Sequence, residues 1–386
     1  MEKFVFNTTP QIVLRSGASK EAGGIIGQRL GERVLLVTDR GIRNLGLCDR
    51  ALRSLKGAGI DVSIFDSVEA DPSIKTVHDA TEAAKAAGVT GVIGFGGGSS
   101  LDVAKLVALL CGSNEDIDGA WGVGNAKGPR LPLVLIPTTA GTGSEVTPVS
   151  IITVDDDEKR GVSSPIILPD IAILDADLTL GLPSQITAST GVDAMVHAIE
   201  AYTSRSANNN PLSKMLARQA LQLLGANIER VVCDGMNREA REAMLLGSML
   251  AGQAFANSPV AAVHALAYPM GSSFHIPHGL STALLLPHVL RFNAPVAATL
   301  YGQIAPDLFP DLACQHDGQV RCAAFIDRLA GLLQSIGLQT RLRDVGIGED
   351  HLFGMARDAM KQTRLLINNP REVGQADALA IYKAAW

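Results

Sequence analysis

Three histidines fall within sixteen residues, in HALAYPMGSSFHIPHG at 264–279, and the whole chain has only eight. Surface histidines scatter, whereas a cluster among apolar and small neighbours suits a metal site or a proton relay. A second fragment offers partners. In GVDAMVHAIEAY (191–202), Asp193 and His197 stand four residues apart, so on a helix their side chains share one face. The pair alone says little, because a capping aspartate and a core histidine give the same spacing. Joined to His264, on the apolar face of HALAYPM, and to His278, at a helix start after Pro277, it becomes one carboxylate and three imidazoles. That set suits a borderline divalent ion, Fe2+ or Zn2+, with positions left open for a substrate oxygen. Such an ion is a Lewis acid towards an alcohol or a carbonyl. His275 is the nearest candidate for passing a proton to water. His288, in LLLPHVLRFN, reads as a core histidine instead of a fifth ligand.

Two loops suggest what such an ion would work with. GFGGGSSLDVAK (94–105) follows an expected strand and opens a helix. Glycines let backbone approach a phosphate, and the helix start offers free N–H groups and partial positive charge. Ser99 stands where the third glycine of GxGxxG would fall, and no GK[ST] follows, so the loop is neither the common dinucleotide fingerprint nor a P-loop. Ser99 or Ser100 is expected to cap the helix or bind phosphate. PTTAGTGSEVTP (137–148) also follows a strand and is rich in hydroxyl and backbone donors. Two such loops suit a bound dinucleotide. Asp39, ending RVLLVTD, would accept from ribose hydroxyls and repel a 2′-phosphate, which favours NAD over NADP. Glu145 is expected to bond only its own loop. Asp102 and Lys105 read either as a helix-surface pair or as cofactor contacts.

These residues need a frame, and the chain supplies one. Strand and helix signals alternate through the first half: RVLLVTD, DVSIFDSV, GVIGFGGGSS and LPLVLIPTT read as strands, SIKTVHDATEAAKAAG and LDVAKLVALL as helices. VFNTTPQIVL opens as a hairpin or edge strand. The alternation implies a mostly parallel, Rossmann-like α/β sheet domain over 1–183. Long amphipathic stretches then imply an all-helical domain over 184–386. At 386 residues, 47% hydrophobic and 19% charged, the chain is long and apolar enough for two full cores. Net charge is −6 with no basic run, so a nucleic-acid partner is not expected. Neither a secretory signal nor an apolar run near 18 residues is seen, so no membrane span is expected. Five scattered cysteines without CxxC suit a reducing, cytoplasmic setting.

GGGSxxDxAK, PTTAGTGSEVT, the DAxxHAIEAY helix and PHGxxxALLLPHVLRFN together resemble the iron-containing (group III) alcohol dehydrogenase family. The likeness runs nearly end to end, through SPIILPDIAILDADLTLGLP and INNPREV. It implies a dehydroquinate synthase-like fold: a Rossmann-like domain followed by a helical one. It also implies an NAD(P)-dependent alcohol dehydrogenase or aldehyde reductase acting on a small alcohol or aldehyde, usually with Fe2+, often as a homodimer. By this resemblance the metal set falls on Asp193, His197, His264 and His278. The diphosphate loop falls on Gly96, Gly97, Gly98 and Ser99, with Asp102 and Ser144 beside it. The nicotinamide-side threonines are Thr138, Thr139 and Thr142, and the cofactor-selecting aspartate is Asp39. Departures bear on the chemistry. Many members carry HxxxH where this chain has His264 and Tyr268, which leaves proton relay to Tyr268, His275, ribose hydroxyls and water. Ser281-Thr282 replaces Asn-Ala. Ile151 and Ile152 replace polar or small residues and suggest an apolar substrate pocket. Two alternatives within the fold are a metal-free reductase of the maleylacetate reductase type and a dehydroquinate synthase-like lyase. All four metal residues are present, against the first. Few Lys or Arg lie in 240–290, against the second.

Overall fold

The computed structural model describes residues 3–154 and 158–386. They form two compact units, Asn7–Leu180 and Gly181–Trp386, and the N-terminal segment ending at Phe6 belongs with the second.

In chain order the strands are β1 (Gln11–Leu14), β2 (Arg33–Val37), β3 (Asp61–Phe65), β4 (Gly91–Gly96), β5 (Gly122–Val123), β6 (Leu133–Pro137), β7 (Val149–Thr153), β8 (Lys159–Ser163) and β9 (Ile171–Leu174). Six make one parallel sheet in the order β1-β9-β6-β4-β2-β3. The expected parallel sheet is therefore present, and VFNTTPQIVL supplies its edge strand β1. In β2, Leu35 and Val37 face one way and Val34 and Leu36 the other, because successive strand side chains alternate. The first pair packs with Val77 and Ala80 of helix α2 (Ile74–Ala86) and Leu101 of α3 (Gly98–Ser113). The second packs with Ala51 and Leu55 of α1 (Asp49–Gly57). Covered on both faces, the central strands are apolar throughout, as in LVLIP.

The order of strands places a ligand site. From β2 the chain moves outward to β3, whereas from β4 it moves to β6 on the opposite side. Open α/β sheets bind ligands at the carboxyl ends of the strands flanking such a switch. Asp39 follows β2 and the glycine loop follows β4. A separate sheet, β5-β8-β7, was not expected from the sequence. It changes the reading of Ile152: this residue is fully buried in the core that includes Val107 and Ile167 and lines no substrate pocket.

The second unit is helical: α4 (Ser184–Thr203), α5 (Pro211–Cys233), α6 (Arg238–Asn257), α7 (Ala262–Phe274), α8 (His278–Leu308), α9 (Gly318–Ser335) and α10 (Gln375–Ala385), with shorter turns between. Small residues in STGVDA let α4 be buried on almost every side, as befits a central helix. By length and composition α8 could cross a membrane, but 56% of its most apolar window is buried within the protein. Val5 joins this unit through both backbone groups. Its N–H donates to Asn208 Oδ1 (2.9 Å), and its carbonyl accepts from Asn208 Nδ2 (2.9 Å).

Candidate active site

In the α/β unit, α3 begins at Gly98 with Gly97 as N-cap, and no side chain caps it. Ser99 and Ser100, expected to cap the helix or bind phosphate, do not cap it, because both lie within its first turn. The first N–H groups thus keep no side-chain partner, which is what an anion at a helix start requires. Gly98 is needed for space, since a Cβ there would come within 2.8 Å of the Thr142 methyl. The two loops are tied by Thr138 N–H donating to the Gly96 carbonyl (2.9 Å). Thr139 and Thr142 are half-buried beside the glycines. Asp39 is half-buried, and its Oδ1 accepts from Ile42 N–H (2.9 Å), so it caps the turn after β2. A cradle that a Cβ would fill, at an uncapped helix start, fits a dinucleotide diphosphate.

Asp102 and Ser144 act on each other. The Ser144 hydroxyl donates to Asp102 Oδ1 (2.6 Å), and Asp102 Oδ2 accepts from Ile151 N–H (2.9 Å). Lys105 completes the group and is fully buried. Its ammonium donates to Ser144 Oγ (2.7 Å), the Val149 carbonyl (2.7 Å) and Thr147 Oγ1 (3.3 Å), with Asp102 at 3.4 Å. Burial pushes the Lys105 pKa down, against the charges of Asp102 and Glu145. Of the two sequence readings, surface pair or cofactor contact, the surface pair is wrong, because a lysine at this position anchors loops from inside.

The Glu145 carboxyl bonds the backbone of its own residue, as expected, and is besides a buried titratable group. It is buried, its Oε1 has no hydrogen-bond partner, and burial raises its pKa to about 7 although its own backbone and Lys105 pull it down. An unfolded glutamate loses its proton near pH 4.5, whereas the folded one holds it to about pH 7. Stability therefore falls as pH rises through that window and levels off above it. Glu145→Gln should remove this slope. The variant's gain in melting temperature over wild type should be small at pH 5 and largest at pH 8, worth up to about 3 kcal/mol. Parallel melting curves across the range would refute the assignment.

In the helical unit, α4 carries Asp193 and His197 one turn apart, and α7 carries His264. α8 starts at His278, with Pro277 as N-cap. Gly279 lets α8 start against α4, for a Cβ there would come within 2.5 Å of the Ser189 carbonyl. Three of the four expected ligands converge, with one donor atom each from Asp193, His264 and His278 all within 4.8 Å of one another. His278 Nε2 is 3.6 Å and His264 Nε2 3.9 Å from Asp193 Oδ1, beyond hydrogen-bond reach. The fourth, His197, stacks between Phe255 and His264, with ring centroids at 4.4 and 4.6 Å. Asp193 and His264 are buried, whereas the His278 side chain is 39% exposed and leaves one side of the cluster open.

Glu200, which sequence reading overlooked, organises this cluster. Its carboxylate accepts from Ala261 N–H (2.9 Å), Val263 N–H (2.7 Å) and His264 Nδ1 (2.7 Å). With Nδ1 donating, His264 Nε2 presents a lone pair, and this buried atom has no hydrogen-bond partner. A buried, orphaned imidazole nitrogen beside a carboxylate fits a divalent ion. Burial opposes protonation of His264, but Glu200 and Asp193 outweigh it and the net shift is upward. Burial likewise opposes ionisation of Asp193, and the three histidines with Thr282 outweigh that. Thr282 donates to Asp193 Oδ1 (3.0 Å), so the Ser-Thr departure supplies a positioning bond.

Tyr268 is half-buried with its ring 6.2 Å from that of His278, and its hydroxyl accepts from Arg364 Nη2 (3.4 Å). His275 stands apart. It ends α7 in the left-handed region (φ 54°), is exposed, and makes no hydrogen bond or ring contact with the cluster among the described residues. His288 is largely buried, which lowers its pKa to about 4, so it is neutral at physiological pH.

Comparison with known proteins decides the family. The sequence pattern of the iron-containing alcohol dehydrogenases matches residues 9–176, and that of the family's C-terminal domain matches 187–386. The chain belongs to the iron-containing alcohol dehydrogenase family. Sulfoacetaldehyde reductase of Bilophila wadsworthia (strain 3_1_6) is 36% identical over 99% of this chain and 98% of its own length. A crystal structure of 1,3-propanediol oxidoreductase superposes with TM-score 0.96 at 33% identity, covering both chains completely. Sulfoacetaldehyde reductase of Bifidobacterium kashiwanohense, solved with NAD+, gives TM-score 0.88 at 28% identity over 100% and 99%. As an iron-containing alcohol dehydrogenase the chain has the dehydroquinate synthase-like fold and is an NAD-linked, metal-dependent oxidoreductase acting on alcohols and aldehydes.

Proposed function

We propose that Asp193, His197, His264 and His278 hold Fe2+, or Zn2+ in its place, and that small primary alcohols and aldehydes react there. In this reading residues 1–183 supply the nucleotide half and 184–386 the metal half. The observation that carries it is the buried His264 Nε2, without a hydrogen bond and 3.9 Å from Asp193 Oδ1, while Glu200 holds the opposite ring nitrogen. When bound, the ion supplies a Lewis acid for the substrate oxygen and NAD supplies the hydride acceptor. The chain's own groups do the rest. Glu200 fixes the His264 tautomer, and Thr282 fixes the Asp193 carboxylate. Because the Tyr268 oxygen accepts from Arg364, its own proton is free to donate towards the open side of the cluster. His275, exposed at the end of α7 and without a direct contact to the cluster, would take part only through intervening water. The glycine-loop N–H groups of Gly96, Gly97, Gly98 and Ser99 receive the diphosphate, Thr138, Thr139 and Thr142 border the nicotinamide, and Asp102 and Ser144 hold those loops. The relatives' names span short substrates, sulfoacetaldehyde and 1,3-propanediol, and long-chain alcohols, so the length of the substrate is read from the panel below.

The deciding experiment compares NADH formation over a panel of alcohols by protein reconstituted anaerobically with Fe2+ and by chelator-treated protein. Turnover that disappears on chelation is expected. Equal turnover in both samples would move the chain to the metal-free reductases. Asp39 sets cofactor choice in this reading. Asp39→Ser keeps an oxygen for the Ile42 cap and removes the charge, so the NADP/NAD ratio of kcat/KM should rise about tenfold or more. An unchanged ratio would leave Asp39 as a capping residue only. We further place the enzyme in the cytoplasm as a homodimer. Its free cysteines, Cys48 and Cys322 among them buried, suit a reducing compartment. The dimer follows from the family resemblance, and light scattering would test it.

A further inference from the structure

Arg364 is an arginine without an acid. Some guanidinium groups of the chain pair with carboxylates, as Arg130 does with Asp170 and Arg218 with Asp307; others, Arg241 and Arg321 among them, bond carbonyl oxygens. Among the described residues no carboxylate lies within ion-pair distance of Arg364, whose side-chain hydrogen bond goes to the Tyr268 hydroxyl. Its backbone, by contrast, is held firmly. Asn368 Nδ2 donates to the Arg364 carbonyl (2.9 Å) and to the Val260 carbonyl (3.1 Å), just before the turn that binds Glu200. Arg205 N–H donates to the Asn368 carbonyl (2.7 Å). Next to it, Asn369 and Asn293 exchange reciprocal amide bonds of 2.7 and 3.0 Å, and Asn293 also donates to Tyr301 (3.2 Å). Asn368 and Asn369 are both buried. An exposed cation is thus mounted on a buried amide network, beside the tyrosine that neighbours His278.

A cation with no carboxylate partner, carried beside Tyr268 and so near His278, in a chain of net charge −6, suits a charge brought by the ligand. Guanidinium presents a planar fork that matches two oxygens of a carboxylate or sulfonate. We propose that Arg364 is a specificity-determining residue that selects aldehydes bearing a terminal oxyanion, binding that group while the carbonyl faces the metal cluster. This rests on the metal-site reading above.

The test uses the Fe2+-reconstituted enzyme with NADH and matched substrates: succinic semialdehyde against butanal, and the sulfonate-terminated two-carbon aldehyde against propanal. Wild type should favour the anionic member of at least one pair by about tenfold or more in kcat/KM. The two pairs tell carboxylate from sulfonate. In Arg364→Gln the anionic/neutral ratio should fall about tenfold, chiefly through KM, and Arg364→Lys should recover part of it. Arg357→Gln, an exposed arginine beside Asp358, should leave the ratio alone. Salt near ~0.5 M should narrow the wild-type preference. Chelator-sensitive turnover of the neutral aldehydes with no anionic preference, or a preference unmoved in Arg364→Gln, overturns this inference and leaves the metal site standing. Absence of metal-dependent turnover on every aldehyde overturns both.

Discussion

His264→Ala should lower kcat/KM by about 10³-fold or more, the several kcal/mol that a Lewis acid contributes to charge development at oxygen. The same protein should lose stoichiometric iron when dialysed, which metal analysis reads without any activity assay. The substitution removes the atom that lies 3.9 Å from Asp193 and also strands Glu200, whose remaining bonds are to Ala261 and Val263. Glu200→Gln makes a graded comparison. It keeps the shape but weakens the hold on His264 Nδ1, and metal affinity should fall about 10- to 100-fold, as for other partners of ligating histidines. If His264→Ala kept both iron and turnover, the convergence of Asp193, His264 and His278 would be a packing feature alone.

The second large effect is expected within the α/β unit. Lys105→Met should destabilise the protein by about 3 kcal/mol, because the half-buried Asp102 carboxylate and Val149 carbonyl and the buried Ser144 and Thr147 hydroxyls lose their shared ammonium partner. Methionine replaces the stem, so lost volume is not the cause. For a unit of this size the melting temperature should drop by roughly 10 °C. NAD binding should weaken as well, since Lys105 joins the helix after the glycine loop to the loop holding Ser144. Calorimetry with and without NAD measures both. A melting temperature within about 1 °C of wild type would mean that the buried ammonium stabilises nothing.

Sequence reading reached the parts of the site that local rules govern. Asp193 and His197 were visible because helical spacing puts i and i+4 on one face. The glycine loop was visible because strand, glycines and helix occur in that order. Glu200 carried the same signal one turn further on, at i+7 from Asp193, but a glutamate in HAIEAY looks like an ordinary helix residue until its backbone partners at 261 and 263 are brought near. Lys105 was left between two readings for a related reason. Nothing in LDVAKLVALL says that the lysine side of α3 faces β7 and not water, because that depends on where the small β5-β8-β7 sheet packs. Ile152 belongs to the same sheet and was misplaced with it. Arg364 was invisible because its relation to Tyr268 spans 96 residues, and no periodicity carries information over that distance.

The bond pair between Val5 and Asn208 has a bearing on how the polypeptide is made. The α/β unit, Asn7–Leu180, is an insertion of 174 residues (180 − 7 + 1) between the first segment and the remainder of the helical unit. A ribosome releases the inserted unit whole, free to fold, long before Asn208 emerges. The N-terminal segment must wait and is captured late, closing a loop whose entropic cost grows only logarithmically with its length. A prefolded insert shortens that loop to the distance between its own ends. The helical half is therefore completed late in synthesis, after the whole α/β half has emerged.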